Sequence, residues 1–367
     1  MKPSILTGKL LHFVAHTTLC FILFSLVLAF RHGLAGGASD LWSIHTGLLQ
    51  DLTAELPIGR QALVSSLAVM PLGSLAALPF LPFLKPAAYG FAYLYGLAAL
   101  LALSALPLRG VLRHFGLARV SAAAPALLAL AAFLLGSTGW TDLLPCLAML
   151  IVAVYFETRD LAELRALAGV FWALALFAHL AGLCLVAGLW AWRLVGRFKV
   201  SLKPETRAVR WIQGASILYG FGVYLFLNWM IMGSPVYPFA SAPWWRLPAG
   251  KTAPYREQLT RILAREYSDC RPVVSGLWGY TVQPLLEATE GYHVADFHPG
   301  KLPSDEPAGL VLVMPVGRNP LAPLSDMTPD RIRPDDAYAS PPVIVTTPDW
   351  VFARIVLKKE AEPAGGG

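Results

Sequence analysis

Long uncharged stretches alternate with short charged connectors along the first two thirds of the chain. Asp, Glu, Lys and Arg are absent from residues 10–30, 61–84, 86–108, 120–141, 143–156, 166–192 and 211–245. A helix that spans a bilayer needs about 20 mainly apolar residues, and most of these runs supply that number. The pattern predicts a polytopic α-helical membrane protein.

The basic residues between the runs predict an orientation. Lys2 and Lys9 precede the first run, and the largest basic cluster lies between residues 193 and 210. Short loops rich in Lys and Arg stay on the cytoplasmic side of a membrane. Placing both groups there predicts about seven crossings and a cytoplasmic N-terminus. It leaves only Arg31, Arg60 and Lys85 as outer-face cations.

Two of the runs do not fit a single crossing. The run 61–84 holds three prolines, which interrupt helices, so we predict a re-entrant or interfacial element there; a full crossing is the alternative. The run 166–192 has basic connectors at both ends but is too short to cross twice at about 1.5 Å per residue. It predicts a broken or re-entrant hairpin whose tip lies near His179.

The character of the sequence changes after about residue 243. An amphipathic helical stretch covers 255–267, and a second one covers 280–290. Short apolar runs bounded by Pro and Gly occupy 272–275, 309–314, 342–347 and 350–357. We therefore predict a transmembrane domain over residues 1–240, a small α/β extracytoplasmic domain over 241–360 and a disordered tail over 361–367.

Composition agrees with a membrane protein and excludes some functions. Hydrophobic residues make up 56% of the chain and charged residues 14%, below the charge content of soluble domains. The basic residues flank the predicted spans and form no aromatic-studded groove, so nucleic-acid binding is not expected. The four cysteines have no metal-ligand spacing and are predicted to be unpaired.

Four acids lie outside the predicted cytoplasmic connectors of the membrane half: Asp40, Asp51, Glu55 and Asp142. A carboxylate at the lipid boundary is partly desolvated, so its basicity can rise toward that of a general base. Asp40 is therefore a candidate base, although the residues alone favour helix capping of residues 41–50 as its role. Asp142 is a candidate for substrate binding, and capping of the helix that follows it is the alternative. Asp51 and Glu55 are predicted to lie on a solvated helix face.

Three basic side chains are candidates for binding an anion. Arg60 and Lys85 bracket the proline-rich run and can hold a phosphate, with snorkelling to lipid headgroups as the alternative. His179 can donate to a sugar hydroxyl or phosphate, or can be satisfied by the backbone. His12 and His16 have metal-ligand spacing without a third ligand. No cofactor is predicted, and a divalent metal stays an open alternative.

Several segments, read together, suggest a family. They are 39–42 (Ser-Asp-Leu-Trp), 59–66 before Met70-Pro71-Leu72, 136–138 (Gly-Ser-Thr), 177–180 (Phe-Ala-His-Leu) and 228–237, which contains Asn-Trp and Gly-Ser-Pro-Val-Tyr. Over residues 8–240 the chain resembles the GT-C superfamily of integral-membrane glycosyltransferases, which includes protein mannosyltransferases and aminoarabinose transferases. The segment that begins at Asn228 is the most specific part of this resemblance.

The resemblance implies a function. A sugar carried on a polyprenyl phosphate would enter from the bilayer and transfer with inversion to an envelope acceptor. Asp40 would be the catalytic base. Arg60 and His179 would contact the departing phosphate, and Asn228, Lys85 and Asp142 are further substrate-binding candidates. The expected location is a bacterial inner membrane with the C-terminal domain in the periplasm, and the expected partners are membrane lipid, the lipid-linked sugar and the acceptor.

The chain also departs from that family. Asp40 stands without the second acid that members often carry, and Ala178-His179-Leu180 occupies the position of a charged pair. Seven crossings are also few for this family. The alternative is a non-catalytic membrane scaffold whose outer domain recruits partners for envelope assembly. A transporter is disfavoured because the predicted spans hold almost no charged groups.

Overall fold

Helices dominate the N-terminal two thirds of the molecule, and a small sheet follows them. The computed structural model describes residues 3–34, 40–65, 71–138, 141, 143–197, 204–236, 252–294, 309–322, 325, 327, 332 and 339–356. The predicted tail over 361–367 lies outside these residues.

The helices of the first part follow the apolar runs of the sequence. They are α1 (Pro3–Leu34), α2 (Asp40–Thr53), α3 (Pro57–Ser65), α4 (Pro71–Ala77), α5 (Tyr89–His114), α6 (Ala118–Ser121), α7 (Ala124–Thr138), α8 (Leu143–Glu157), α9 (Ala162–Leu176), α10 (Leu180–Arg197) and α11 (Pro204–Met232). Two 3-10 helices, Leu78–Phe83 and Pro86–Ala88, connect α4 to α5.

Three helical segments of the described residues are long and apolar enough to cross a membrane. They are Leu10–Arg31, Pro86–His114 and Pro204–Met232. By contrast, α7, α8 and α9 have 15 residues each, which corresponds to about 22 Å against a hydrocarbon core of about 30 Å. The predicted seven crossings are therefore not confirmed.

Two predicted interruptions are present in the described chain. The run 166–192 divides into α9 and α10, with the break at residues 177–179, so the predicted hairpin tip at His179 is confirmed. The run 61–84 is not one continuous helix: its described parts belong to α3, α4 and the 3-10 helix Leu78–Phe83. Pro71 stands at the start of α4, where a backbone N–H has no partner within the helix, and Pro82 lies inside the 3-10 helix, where it removes a backbone donor.

Small residues set the contact between α9 and α11. A Cβ atom on Gly169 would lie 2.6 Å from Gln213 Cα, and one on Gly220 would lie 2.9 Å from Ala173 Cβ. One turn further along, the rings of Phe177 and Tyr224 meet edge to face with centroids 5.9 Å apart. The contacts advance along both helices in the same direction, so α9 and α11 run parallel.

The C-terminal region is a five-stranded mixed sheet with two helices. Its elements are α12 (Ala253–Glu266), β1 (Arg271–Ser275), the 3-10 helix Leu277–Thr281, α13 (Gln283–Ala288), β2 (Tyr292–Val294), β3 (Leu310–Pro315), β4 (Val343–Thr346) and β5 (Trp350–Ile355). The strand order is β2-β1-β3-β5-β4, with β1 parallel to both neighbours and β5 antiparallel to both of its own. The four predicted strands are confirmed, and β2 was missed.

One face of this sheet joins the C-terminal region to the membrane half. Its buried cluster combines Trp278, Trp350 and Phe352 with Ile44 and Leu48 of α2. The strands alternate, so the opposite face has its own core around Val273, Leu312 and Val351. The segment that follows α1 is thus part of the hydrophobic core of the C-terminal domain.

Candidate functional site

The junction between α2 and the C-terminal domain is centred on Tyr280. Its hydroxyl donates a 2.9 Å hydrogen bond to Asp51 Oδ2, and its ring lies against Gly47, where a Cβ would sit 2.5 Å from the ring. Burial raises the pKa of the Asp51 carboxyl, and the bond from Tyr280 offsets part of that rise. The predicted solvated face is therefore wrong for Asp51, because the domain covers it. Glu55 is exposed as predicted, but it lies in the turn that follows α2 and not on the helix.

Behind Tyr280 lies His293 of β2. The two rings meet edge to face at 4.4 Å, and His293 Nε2 lies 2.9 Å from the Gly276 carbonyl oxygen. Burial lowers the pKa of His293 to about 4, so the ring is neutral at pH 7 and its Nε2–H is the donor. Sequence reasoning did not identify this group. The only available signal was the small pair Gly276 and Gly279, which leaves room for the imidazole.

Asp40 is the first residue of α2. A cap stands one position before the first helical residue, so the structure does not confirm Asp40 as the cap of this helix. The side chain of Asp40 lies outside the described part of the structure, as does all of Asp142. A catalytic or substrate-binding role of either residue stays a prediction.

Arg60 lies on α3 and is exposed. Its helix packs closely on α2, since a Cβ on the preceding residue, Gly59, would lie 2.8 Å from the backbone of Asp51 and Leu52. The other end of α3 reaches α11, where the Tyr224 hydroxyl donates to the Val64 carbonyl at 3.4 Å. α3 therefore connects the α2 segment with the C-terminal half of α11.

His179 caps the start of α10. Its Nδ1 accepts a 3.0 Å hydrogen bond from the backbone N–H of Ala181, which satisfies one of the unpaired donors at a helix N-terminus. The neutral ring that makes this bond carries its proton on Nε2. The alternative of a histidine satisfied by the backbone is thus confirmed for one nitrogen, though the partner is an N–H and not the expected carbonyl.

The turn that carries His179 also touches the proline-rich element. The backbone N–H of Leu72 in α4 donates to the Phe177 carbonyl at 2.9 Å. Because Phe177 also packs on Tyr224, the hairpin tip contacts both α4 and α11. Three segments that the sequence analysis selected separately are therefore neighbours.

Asn228 is fully buried one turn after Tyr224 on α11. Its Nδ2 donates to the Tyr224 carbonyl at 3.0 Å, while its Oδ1 has no hydrogen-bond partner among the described residues. A buried acceptor without a donor costs about 1–3 kcal/mol, so such groups are kept where another molecule or a water supplies the donor. This is the feature at the junction that is most suggestive of a ligand.

Lys85 does not belong to this group of neighbours. It is exposed at the start of the 3-10 helix Pro86–Ala88, where Gln50 Nε2 donates to the Pro86 carbonyl at 3.1 Å. It therefore lies beside the last turns of α2. This exposed position suits the alternative role of Lys85, in which its side chain extends to lipid headgroups.

A second group of polar side chains lies between α2, α4 and α5. His45 is buried and stacks on Tyr93 with ring centroids 3.5 Å apart, and Ser74 Oγ lies 3.3 Å from His45 Nδ1. These contacts fix α2 on the bundle. Sequence reasoning missed them because Ser74 and Tyr93 belong to different apolar runs and His45 lies outside all of them.

Within the described residues, no group of three or more His, Cys, Asp or Glu side chains is arranged to hold a metal ion. All four cysteines are free, as predicted. The arrangement therefore offers hydrogen-bond donors, one exposed cation and a buried amide oxygen as its chemistry. Comparison of this chain with protein-family models, with curated proteins and with solved structures finds no match.

Proposed function

We propose that the protein is a membrane glycosyltransferase that moves a sugar from a polyprenyl-phosphate-linked donor to an acceptor on the extracytoplasmic side. The observation that carries this proposal is that α3 and the 177–179 turn both contact Tyr224 of α11, one turn before the buried amide of Asn228. The resemblance of residues 8–240 to the GT-C superfamily assigns the substrate class. The topology of the proposal follows the positive-inside rule, with the C-terminal domain and α2 on the outer side.

The residues have complementary roles in this reaction. Asp40 accepts the proton of an acceptor hydroxyl, whose oxygen then forms a bond to the anomeric carbon of the sugar. The bond from that carbon to the phosphate oxygen breaks, and the polyprenyl phosphate leaves with the electron pair. Arg60 and the Nε2–H of His179 stabilise the charge that develops on this phosphate. Such preorganised donors act most strongly where water is scarce.

Asn228 has a separate role in the proposal. Its Oδ1 is an acceptor held rigidly in the protein interior, so it suits a sugar hydroxyl better than a phosphate. The C-terminal domain, packed on α2 through Ile44 and Leu48, closes the acceptor side of the site.

An Asp40→Asn variant tests the reaction directly. Purified protein is incubated with polyprenyl-phosphate sugars of defined headgroup, and the release of polyprenyl phosphate is measured. Loss of a general base lowers the rate by about 10²–10⁴-fold, so we expect Asp40→Asn to be nearly inactive. The matched control is Asp160→Asn in the exposed connector before α9, which retains full turnover. Undiminished turnover of Asp40→Asn contradicts the proposal.

A scaffold function is favoured by a different observation. All four residues of β4 are exposed, including Val343 at 63%, and among the described strands β4 pairs only with β5. An exposed apolar edge strand is suited to receiving a strand from another protein. Complementation of a deletion strain separates the two functions. The scaffold requires that Val343→Lys fails and Asp40→Asn succeeds, and the transferase requires the reverse.

A further inference from the structure

An apolar groove of about 560 Å³ runs between α10 and α11. Its wall on α10 is formed by Leu183, Val186, Ala187 and Trp190, and its wall on α11 includes Trp211, Gly214 and Leu218. The volume lies within the range of about 300–1,000 Å³ that small-molecule sites occupy. From residue 211 to residue 221 the groove follows α11 for about 15 Å.

Small residues create this groove. Gly214 lies so close to the indole of Trp190 that a Cβ there would be 3.0 Å from Cη2, and Ala215 and Ala187 add little bulk beside it. Leu218 is 73% exposed and Trp211 is 62% exposed on the open side. Since α11 is one of the helices able to cross a membrane, the groove opens toward hydrocarbon.

Positive charge stands at one end of the groove. Arg207 is exposed and precedes Trp211 by four positions and Gly214 by seven, so it lies on the same face of α11. The apolar groove therefore continues along α11 to an arginine.

A hydrogen-bond donor is buried near the charged end. Trp190 Nε1 has no hydrogen-bond partner among the described residues, although an indole N–H is a donor that is usually satisfied when buried. An apolar channel, a buried donor and then the guanidinium of Arg207 match in order an acyl chain, an ester carbonyl and a phosphate. Basic pockets between membrane helices bind anionic headgroups in this manner.

We infer that this groove binds one anionic phospholipid, with an acyl chain between α10 and α11 and the phosphate against Arg207. The site is separate from the junction around Asn228 and does not depend on glycosyl transfer. Its ligand stabilises the pairing of the hairpin α9–α10 with α11, because the lipid contacts both α10 and α11.

Retention of lipid by the purified full-length protein tests this inference. The protein is exchanged into neutral detergent with phosphatidylglycerol, and bound lipid is counted by native mass spectrometry. Ala215→Leu fills the groove, and we expect it to remove the retained lipid. The control Gly222→Leu adds the same side chain where nothing lies within 4 Å of the new Cβ, and it retains the lipid.

The charge is tested independently of packing. We expect Arg207→Gln to weaken phosphatidylglycerol retention about fivefold, the contribution of one cation at an anionic headgroup. Arg119→Gln, at an exposed position on α6, is the control and has no effect. The inference is overturned if Ala215→Leu retains lipid as the wild type does, if phosphatidylcholine is retained equally, or if polyprenyl phosphate displaces phosphatidylglycerol at equal concentration.

Discussion

Large apolar side chains are exposed on α11 and buried in the C-terminal domain. Leu218 and Trp229 of α11 are 73% and 57% exposed, whereas Trp350 and Phe352 of β5 are 0% and 1% exposed. In the domain, water drives these groups together. Between helices in lipid that driving force is absent, and close packing of small residues such as Gly169 and Gly220 replaces it. The same residue types therefore have opposite structural roles in the two regions.

The largest expected effect comes from removing a buried ring in the domain. Trp350→Ala deletes a fully buried side chain of the core that joins the sheet to α2, so we expect a loss of about 3–5 kcal/mol in the free energy of unfolding. Thermal unfolding of the purified protein measures it. The matched variant Trp229→Ala removes an exposed indole on α11, and we expect it to leave the unfolding temperature unchanged. Equal losses in the two variants would contradict the difference between the domain and α11.

The bundle is expected to be most sensitive to added volume. Gly169→Leu forces a side chain against the backbone of Gln213, and overpacking of this kind costs about 3 kcal/mol. We expect a lower unfolding temperature and loss of monodisperse elution in detergent. Gly222→Leu serves as the control, because its Cβ meets nothing within 4 Å. If both variants behave alike, α9 and α11 do not pack as described.

Acid should destabilise the domain through His293. Its pKa is lowered to about 4 in the folded protein, so the unfolded chain binds a proton more readily between pH 6.5 and pH 4. The free energy of unfolding therefore keeps its full value above pH 6.5. It falls by about 2 kcal/mol as the pH drops toward 4. Unfolding measured across this range tests it.

The control for this pH effect is a second histidine. His293→Asn is expected to unfold with a weaker pH dependence than the wild type, whereas His114→Asn, at an exposed position near the end of α5, keeps the full dependence. Identical pH profiles of the wild type and His293→Asn contradict the assignment.

The smallest expected effect concerns the bond between the two regions. Tyr280→Phe removes the donor to the partly buried Asp51 carboxylate, which we expect to cost about 1 kcal/mol. Faster limited proteolysis of the C-terminal domain, together with a small fall in unfolding temperature, measures it. Tyr255→Phe alters a tyrosine that packs against the same core and is the control. A loss no larger than that of Tyr255→Phe would mean that apolar packing alone holds the domain on α2.

The sequence predicted those parts of the fold whose signals are local. Proline positions predicted the interruptions in 61–84, and the shortage of residues for two crossings predicted the break beside His179. Four strands followed from apolar runs between Pro and Gly. β2 has only three residues and owes its conformation to pairing with β1, so it leaves no pattern of its own.

The candidate site was only partly predictable. Arg60, His179 and Asn228 were selected individually, but the elements that carry them are joined by contacts between distant segments, such as those of Tyr224 with Val64 and Phe177. The bond between Tyr280 and Asp51 joins residues 229 positions apart, and no local pattern encodes it. The number of crossings was not confirmed because uncharged length does not determine where a helix ends.

Photo-crosslinking with a polyprenyl-phosphate sugar that carries a diazirine on its phosphate-proximal isoprene tests the central claim most directly. The account predicts labelled peptides from α3, the 177–179 turn and the last two turns of α11, with labelling reduced in Arg60→Gln and unchanged in Lys85→Gln. Labelling confined to other helices, or labelling that competing polyprenyl phosphate does not reduce, would contradict the assignment of this junction as the sugar-transfer site.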